Sequence, residues 1–298
     1  MPSTDRIVRL IINPVAANGN ASRTARELIA SMAARDIPHV IRETKGRGDA
    51  STIAADWVHE GADSVWCLGG DGTVQETAQG LAGTETALGI IPGGTGNDFA
   101  SMFGLAAGDP WRALNVQLGA TPHRVDAAMV NDRWFINICG MGFDVDTLIH
   151  TEKAKRYSKG MLAYLIGVSR AIATHKDITV EITADGQTTE QKLLMVAVCN
   201  GRRFGGGMNV APEASITDGL FDLILIHPVS KLGILRLLPG FIKGKHLSLP
   251  MVELKRCSDV RIVQGADTMT VNVDGELMRC NDVRFHIQPM ALNVLAPG

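Results

Sequence analysis

The sequence has few aromatic residues, few cysteines and no long apolar run. Its 298 residues include five cysteines, and no two of them are close enough to form a Cys-x-x-Cys motif. An odd, scattered set of cysteines indicates reduced thiols and a cytoplasmic location, and argues against a disulfide framework or a zinc site. No stretch approaches the ~20 apolar residues of a membrane-spanning helix. Residues 1–14 lack the apolar core and the cleavage site of a signal peptide.

An excess of basic charge is also absent. Lys and Arg number 29 against 31 Asp and Glu, which gives a formal net charge of -2. No general basic field therefore points to a nucleic-acid partner. The eight histidines show no metal-ligand spacing. With 45% hydrophobic and 20% charged residues, the chain can form one large or two ordinary globular domains.

Alternating strand and helix patterns predict an α/β domain with a parallel sheet in Rossmann-like layers. We place this domain at residues 1–124. The predicted strands cover residues 7–12, 39–43, 64–68 and 87–91, and the helices between them cover 21–34, 50–60 and 73–82.

Beyond residue 121 strands outnumber helices, which predicts a mostly β sandwich domain over residues 125–286. Asp-Gly between two strands is typical of a hairpin turn. The predicted hairpins are 178–184 with 189–198 around Asp185-Gly186, and 269–273 with 277–280 around Asp274-Gly275; helices are predicted near 159–174 and 230–243. The last predicted strand, 291–295, fits either domain, so residues 287–298 can join the α/β domain.

Two glycine-rich loops each follow a buried strand and precede a helix. The first is Gly69-Gly70-Asp71-Gly72-Thr73, and the second is PGGTGNDFA over residues 92–100. Glycines let backbone N–H groups approach phosphate oxygens, and helix N-termini add partial positive charge. A carboxylate such as Asp71 beside phosphates requires a cation, which implies Mg²⁺.

Simple tight turns are the alternative interpretation of such loops. Two of them on successive strands, each with an Asp, favour a phosphate site at the carboxyl edge of a parallel sheet. The sequence has no GxxxxGK[ST] motif and no GxGxxG opening its first helix, which argues against a Walker-type P-loop and against a dinucleotide dehydrogenase.

With these loops the chain resembles the diacylglycerol kinase catalytic-domain family of soluble lipid kinases, which includes sphingosine and ceramide kinases and bacterial relatives. The resemblance extends over nearly the whole sequence. The matching segments are INP (12–14), GGDGT (69–73), PGGTGNDFA (92–100), RVD (124–126), NICGMGFD (137–144), APEASITDGLFD (211–222) and VDGE (273–276). GGDGT alone also occurs in NAD kinases, whereas PGGTGNDFA with a late DGE is much more specific to lipid kinases.

The resemblance implies two domains with an ATP cleft between them. By resemblance, the nucleotide-binding residues are Asn13, Thr44, Gly69, Gly70, Asp71, Gly72, Thr73, Gly94, Thr95, Asn97 and Asp98. Asp71, Asp98 and Asp49 would organise Mg²⁺ through water. Ser215, Asp218 and Leu220 match a structural metal site, with Ser215 and Leu220 contributing carbonyl oxygens.

The resemblance also implies the catalytic residues. Asp274 matches the proposed general base, with Glu276 beside it, and Asp71 completes the catalytic set. Taken locally, Asp274-Gly275 is equally a type I′ turn. Gln75 departs from the family, which commonly has Asn in GGDGTxNE; the change adds a methylene and keeps the amide.

The expected activity is ATP- and Mg²⁺-dependent phosphorylation of a lipid alcohol such as diacylglycerol. An NAD kinase shares GGDGT and is one alternative; a lipid- or nucleotide-binding regulator without catalysis is another. A lipid substrate would be met at the membrane surface by a peripheral protein. The stretches 159–170 and 230–247 are apolar with flanking Lys and Arg. For 230–247 an interfacial segment and an ordinary packed helix are equally open, whereas for 159–170 a packed helix, with one end forming a wall of the lipid pocket, is favoured. The sequence leaves a homodimer open.

Overall fold

The computed structural model describes residues 6–16, 20–106, 108–158, 160–265 and 268–297. The chain divides into two compact units, which we call the α/β unit (residues 1–127 and 288–298) and the β unit (residues 128–287). Among the described residues, no helix combines the length and apolar character needed to cross a bilayer.

The α/β unit alternates strands and helices as predicted. Its elements are β1 (Val8–Ile12), α1 (Asn20–Ala33), β2 (His39–Glu43), α2 (Asp49–His59), β3 (Ser64–Gly69), α3 (Asp71–Leu81), β4 (Ala87–Pro92), α4 (Asp98–Ser101) and α5 (Pro110–Leu118). The strands lie in the order β2-β1-β3-β4, and all neighbouring pairs are parallel. β3 and β4 are buried along their whole length, as expected for parallel strands covered on both faces.

The chain returns to this sheet after the β unit. β5 (Pro122–Val130) and β18 (Asp282–Leu295) each contribute residues to both units. Near the end of β18, Asn293 and Val294 pair in parallel with Ala87 and Leu88 of β4. The last predicted strand therefore pairs within the α/β unit.

The β unit is a sandwich, as predicted. Its elements are β6 (Arg133–Phe135), β7 (Ile138–Gly142), α6 (Phe143–Ala154), α7 (Gly160–Thr174), β8 (Ile178–Ala184), β9 (Gln187–Leu193), β10 (Met195–Cys199), β11 (Arg203–Phe204), β12 (Met208–Asn209), β13 (Phe221–Ile226), α8 (Lys231–Lys243), β14 (Val252–Cys257), β15 (Asp259–Val263), β16 (Met269–Val273) and β17 (Glu276–Cys280). One antiparallel sheet has the order β14-β13-β10-β7-β16-β17, and β15 pairs with β8 and β18 in the facing layer. Apolar residues from both layers form one core.

Helices α7 and α8 pack on the outer face of the six-stranded sheet. Alternate residues of β10 serve the two faces: Val196 and Val198 enter the sandwich core, whereas Met195 and Ala197 join a second core with Ile234 and Leu237 of α8. This explains why every residue of β10 is buried.

Two sequence predictions for the β unit are wrong. Residues 189–198 are not one strand, because β9 ends at Leu193 and β10, which pairs with β7 and β13 instead, begins at Met195. Helix α6 (Phe143–Ala154) was not predicted, because its first residues, Phe-Asp-Val-Asp, alternate in polarity as a strand does. The predicted helix over 159–174 is α7, although Lys159 lies outside the described residues.

Candidate active site

The predicted nucleotide residues of the α/β unit follow four neighbouring parallel strands. Asn13 follows β1 and Thr44 follows β2, while the two glycine loops follow β3 and β4. The register Leu68↔Ile12 and Gly69↔Pro92 aligns these strand ends. The carboxyl edge of a parallel sheet is the usual ligand side of an open α/β fold. The prediction that both glycine loops share this edge is confirmed.

The two loops touch each other at glycine. A Cβ atom placed on Gly94 would lie 2.5 Å from the Cα of Gly70, a distance that real Cβ contacts do not reach. The N–H of Gly93 also donates to the carbonyl of Gly69 at 2.8 Å. Glycine is therefore required at Gly94 by the approach of one backbone to the other.

Asp71 holds the second loop onto the first. Its Oδ2 accepts from the N–H of Asn97 at 2.8 Å, and its Oδ1 accepts from the N–H of Asp98 at 2.6 Å. Asn97 has a φ of 55° and closes its own turn, because its Oδ1 accepts from the N–H of Gly94 at 3.0 Å. A carboxylate at the start of α4 is favoured by the helix dipole.

Asn13 and Thr73 are also in contact. Asn13 Nδ2 donates to Thr73 Oγ1 at 3.0 Å, and Thr73 is buried at the start of α3. Asp49 opens α2, and its Oδ2 accepts from the N–H of Lys45 at 2.6 Å. Glu76 of α3 accepts from the N–H of Ala50 at 3.3 Å, which ties α2 to α3. Thr95 lies exposed in the second loop.

The carboxylates at this edge of the sheet fit a Mg²⁺ ion that is bound through water and phosphate, and not one that they ligate directly. Within the described ranges, no three His, Cys, Asp or Glu side chains form a direct cation site. The two oxygens of Asp71 each accept one backbone N–H, and a carboxylate has about four lone-pair sites. Lone pairs therefore stay open for water ligands, and Mg²⁺ commonly keeps several waters beside substrate phosphates.

Gln75 is a buried amide in α3 with 2% exposure. Among the residues that the structure describes, neither its Oε1 nor its Nε2 has a hydrogen-bond partner. Leaving both groups unpaired costs on the order of 1–3 kcal/mol each. A buried water or ligand that bonded to the Gln75 amide would remove this cost.

Asp274 lies in the β unit, in the turn between β16 and β17. Its φ of 48° and the φ of 94° at Gly275 fit a type I′ hairpin. Its Oδ2 accepts from the N–H of Ile136 at 2.8 Å, and its Oδ1 accepts from Asn137 at 3.1 Å and Ile138 at 2.8 Å. Burial raises its pKa to about 6, although these three donors act to lower it. One lone pair on Oδ2 stays open for a proton.

Glu276, the predicted neighbour of Asp274, is ion-paired with Arg133 of β6. Both side chains are largely buried. Arg133 also acts to lower the pKa of Asp274. The contact with Glu276 therefore fixes the position of the Arg133 guanidinium.

An apolar cavity opens between the helices and the outer face of the six-stranded sheet. Its lining comes from α6, α7, α8 and the ends of β10 and β13, and it includes Leu194, Met195, Ile226, Ile234, Leu237 and Phe241. Three side chains with polar groups, Asp144, Thr147 and Tyr164, belong to this lining. Burial raises the pKa of Asp144 to about 6 and that of Tyr164 to about 12.

Asn272 connects the cavity lining to the turn that holds Asp274. Its Nδ2 donates to Asp144 Oδ2 at 2.8 Å, and its Oδ1 accepts from the N–H of Gly275 at 2.8 Å. Gly140 makes room for this contact, because a Cβ there would lie 2.0 Å from Asp144 Oδ2. The turn that holds the candidate base is thus hydrogen-bonded through Asn272 to the polar end of the cavity.

The predicted structural metal residues lie close to the basic side chain of Arg256. Asp218 Oδ2 is paired with Arg256, and its Oδ1 accepts from the N–H of Leu220 at 3.1 Å. Asp222 also contacts Arg256, at 3.2 Å, while the Ser215 hydroxyl lies 3.2 Å from that of Thr217. The structural metal site, in which Ser215 and Leu220 would contribute carbonyl oxygens beside Asp218, stays a prediction.

Sequence reasoning missed Arg133, Asn272 and Asp144 as functional candidates. Asp144 is the last residue of the segment NICGMGFD (137–144), and its neighbours in sequence do not indicate a cavity. Arg133 and Asn272 are single polar residues on ordinary strand patterns. The pairing of β7 with β16 brings Asn272 to Asp144, and the ion pair with Glu276 places Arg133 beside the same turn.

The two units match two known families of domain. The diacylglycerol kinase catalytic domain matches residues 7–130, and the YegS C-terminal NAD kinase beta sandwich-like domain matches residues 137–296. A diacylglycerol kinase of Mycobacterium tuberculosis (strain ATCC 25618 / H37Rv) is 31% identical over 97% of this chain and 95% of its own length. The chain belongs to the diacylglycerol kinase and YegS-like family. It is a lipid kinase.

Further relatives of this lipid kinase agree. A Pseudomonas putida protein named as a probable YegS-like lipid kinase is 34% identical over 87% of this chain and 85% of its own length. A solved structure from Bacillus anthracis str. Sterne superposes with a TM-score of 0.79 at 25% identity, covering 98% of this chain and 97% of that one. Membership of a kinase family implies a nucleotide donor and, here, a lipid acceptor.

Proposed function

We propose that this lipid kinase transfers the γ-phosphoryl group of ATP, with Mg²⁺, to the hydroxyl of diacylglycerol or a closely related lipid alcohol. The observation that carries the proposal is the link that Asn272 makes between Asp144 and the Asp274-Gly275 turn. It joins a carboxylate of raised pKa to an apolar cavity. An acceptor with an apolar body and one hydroxyl suits such a cavity.

The nucleotide half of the proposal rests on the two glycine loops. Their backbone and the N-termini of α3 and α4 would bind the phosphates, with Asn13, Thr44 and Thr95 around the nucleotide. Mg²⁺, when bound through water near Asp71, Asp98 and Asp49, would neutralise phosphate charge. Asp71 has a second task, because it fixes the second loop by its two hydrogen bonds.

Asp274 would act as the general base for the attacking hydroxyl. A pKa of about 6 leaves the carboxylate unprotonated at pH 7 yet more basic than an ordinary Asp. Three backbone N–H groups fix its orientation, and its open lone pair would receive the proton. Asp144 would bind the polar end of the lipid, while Arg133 with Glu276 would stabilise the carboxylate turn. We place the reaction at a membrane surface, where a peripheral enzyme meets its lipid.

The test is phosphate transfer from labelled ATP to diacylglycerol in mixed micelles, with and without Mg²⁺ and with NAD in a parallel reaction. Labelled phospholipid that requires Mg²⁺ is the expected result. Labelled NADP without labelled lipid would replace the proposal by the NAD kinase alternative. ATP binding without any product would favour the non-catalytic regulator. Sedimentation equilibrium of the same preparation would decide whether a homodimer forms.

A further inference from the structure

Two segments of the β unit carry basic residues and no acidic ones. Residues 153–176 and 228–252 together hold ten of the 29 Lys and Arg residues and none of the 31 Asp and Glu residues. The rest of the chain then has 19 basic against 31 acidic residues. The two segments, which include α7 and α8, are therefore strongly positive in a protein whose net charge is -2.

The same segments carry unusual apolar exposure. Of the twelve large hydrophobic residues found exposed in the described chain, six belong to them, each 50% to 64% exposed: Tyr157, Leu162, Leu165, Leu232, Leu235 and Ile242. On α8 the exposed Leu232, Leu235 and Ile242 recur at helical spacing and share one outward face with Arg236 and Lys243.

The inward faces of these helices line the lipid cavity. Tyr164 of α7 and Ile234, Leu237 and Phe241 of α8 line the cavity, whereas the exposed leucines point away from it. Lys231 Nζ donates to the carbonyl of Ala173 at 2.7 Å, which joins the start of α8 to the end of α7. The two helices thus lie between the cavity and solvent, with apolar residues on the face that lines the cavity and on the face that is exposed.

We infer that the outward face of α7 and α8 is a docking surface for an anionic lipid bilayer, which brings the cavity to its substrate; this rests on the proposed lipid kinase function. Exposed leucines insert at the headgroup boundary, and the Lys and Arg residues around them attract anionic lipid. A second copy of this chain is a poorer partner, because it would bring two strongly basic surfaces together.

The first experiment is co-sedimentation of the full chain with vesicles of phosphatidylcholine, alone or with phosphatidylglycerol. The wild type should bind the anionic vesicles and release as salt rises. The triple variant Leu232→Ser/Leu235→Ser/Ile242→Ser should bind at least about tenfold more weakly. The pair Arg236→Gln/Lys243→Gln should reduce the preference for anionic vesicles. The control Val40→Ser/Val116→Ser removes exposed apolar residues of the α/β unit and should bind as the wild type does.

The second experiment separates docking from catalysis. The triple variant should phosphorylate a short-chain diacylglycerol dispersed below its critical micelle concentration as fast as the wild type does, and lose activity only on vesicles. Equal vesicle binding by all variants would overturn the inference, as would loss of activity on the dispersed lipid. A change from dimer to monomer in the triple variant would assign the surface to self-association instead. If the wild type transfers no phosphate to dispersed lipid, the proposed function fails, and vesicle binding alone decides this inference.

Discussion

Two Asp-Gly turns in the β unit share a backbone conformation but hold their carboxylates in different surroundings. Asp185 and Gly186 have φ values of 43° and 82°, close to the 48° and 94° of Asp274 and Gly275. Asp185 is exposed, and its Oδ1 accepts from the N–H groups of Ser258 and Asp259 at 3.0 Å each. The pKa of Asp185 is lowered by these bonds, which exceed the effect of its slight burial.

Asp274 also accepts backbone N–H groups, three of them, yet burial raises its pKa to about 6. The turn sequence therefore does not decide the chemistry of the carboxylate. The difference comes from the surroundings of the two carboxylates. Asp274 is enclosed by β7 and the loop before it, which donate from Ile136 and Ile138. Asp185 lies at the surface and accepts from Ser258 and Asp259 where β14 is followed by β15.

The largest expected difference between the two turns is in turnover. Asp274→Asn should lower kcat by about 10²- to 10⁴-fold, because it removes the proton acceptor, while leaving the Kd for ATP nearly unchanged. Asp185→Asn should leave kcat within twofold of the wild type. Steady-state kinetics and calorimetric ATP binding measure both. Equal loss of turnover and of ATP affinity in Asp274→Asn would contradict its assignment as the base.

The pH profile of turnover should depend on the buried turn and not on the exposed one. A base must be unprotonated, so kcat/KM should fall about tenfold per pH unit as the pH drops below about 6. The Asp185→Asn variant should keep this profile, because the pKa of Asp185 lies below its ordinary value. A flat profile down to pH 5 would show that no group of raised pKa acts in the reaction. The slope would steepen if Asp144, whose pKa is also about 6, must ionise as well.

The hydrogen bonds behind the buried turn should have a smaller effect. Asn272→Leu leaves Asp144 buried without its donor, so we expect about 1–3 kcal/mol of destabilisation and roughly tenfold lower kcat/KM for lipid. Thr183→Val, which removes the exposed hydroxyl pair with Thr188 beside the other turn, should change stability by less than about 0.5 kcal/mol. Urea unfolding and lipid kinetics measure both variants. Unchanged lipid kinetics in a folded Asn272→Leu variant would show that turnover does not depend on the link between the cavity and the turn of Asp274.

The glycines should give the smallest difference. Neither Gly186 nor Gly275 has a heavy atom near the position of an added Cβ, so Gly→Ala at each should cost about 1–2 kcal/mol through backbone strain alone. Gly275→Ala should also lower turnover a few-fold, since Gly275 supports Asp274 through Asn272. Paired urea titrations and activity assays test this. A larger activity loss in Gly186→Ala than in Gly275→Ala would reverse the comparison.

The α/β unit was largely predictable from sequence. Its strands are short apolar runs, and their ends are marked by Asn13-Pro14 and by the glycine loops. The position of both loops at one edge of the sheet was predicted by the rule that parallel strands end at one edge. Its detail was not, because the sequence presents Asp71 as a metal residue and not as the acceptor for the backbone of Asn97 and Asp98.

The acceptor site of the β unit was not predictable in the same way. Asn272 and Asp144 are 128 residues apart in sequence. The donors to Asp274 are Ile136, Asn137 and Ile138, which precede it by 136 to 138 positions. Such contacts depend on the antiparallel register of β7 with β16, which no local pattern carries. Resemblance to the family supplied Asp274, but the environment that sets its pKa required the structure.

The pairing of Asn293 and Val294 with β4 has a consequence for how the protein folds during synthesis. The 160 residues of the β unit must be made before this strand emerges, which takes roughly 8–30 s at ribosomal rates. During that interval one side of β4 has no strand partner, and an unpaired strand edge is a template for association with other chains. Chaperone protection of this kinase therefore matters most during the interval when the first part of the α/β unit has been made and its last strand has not.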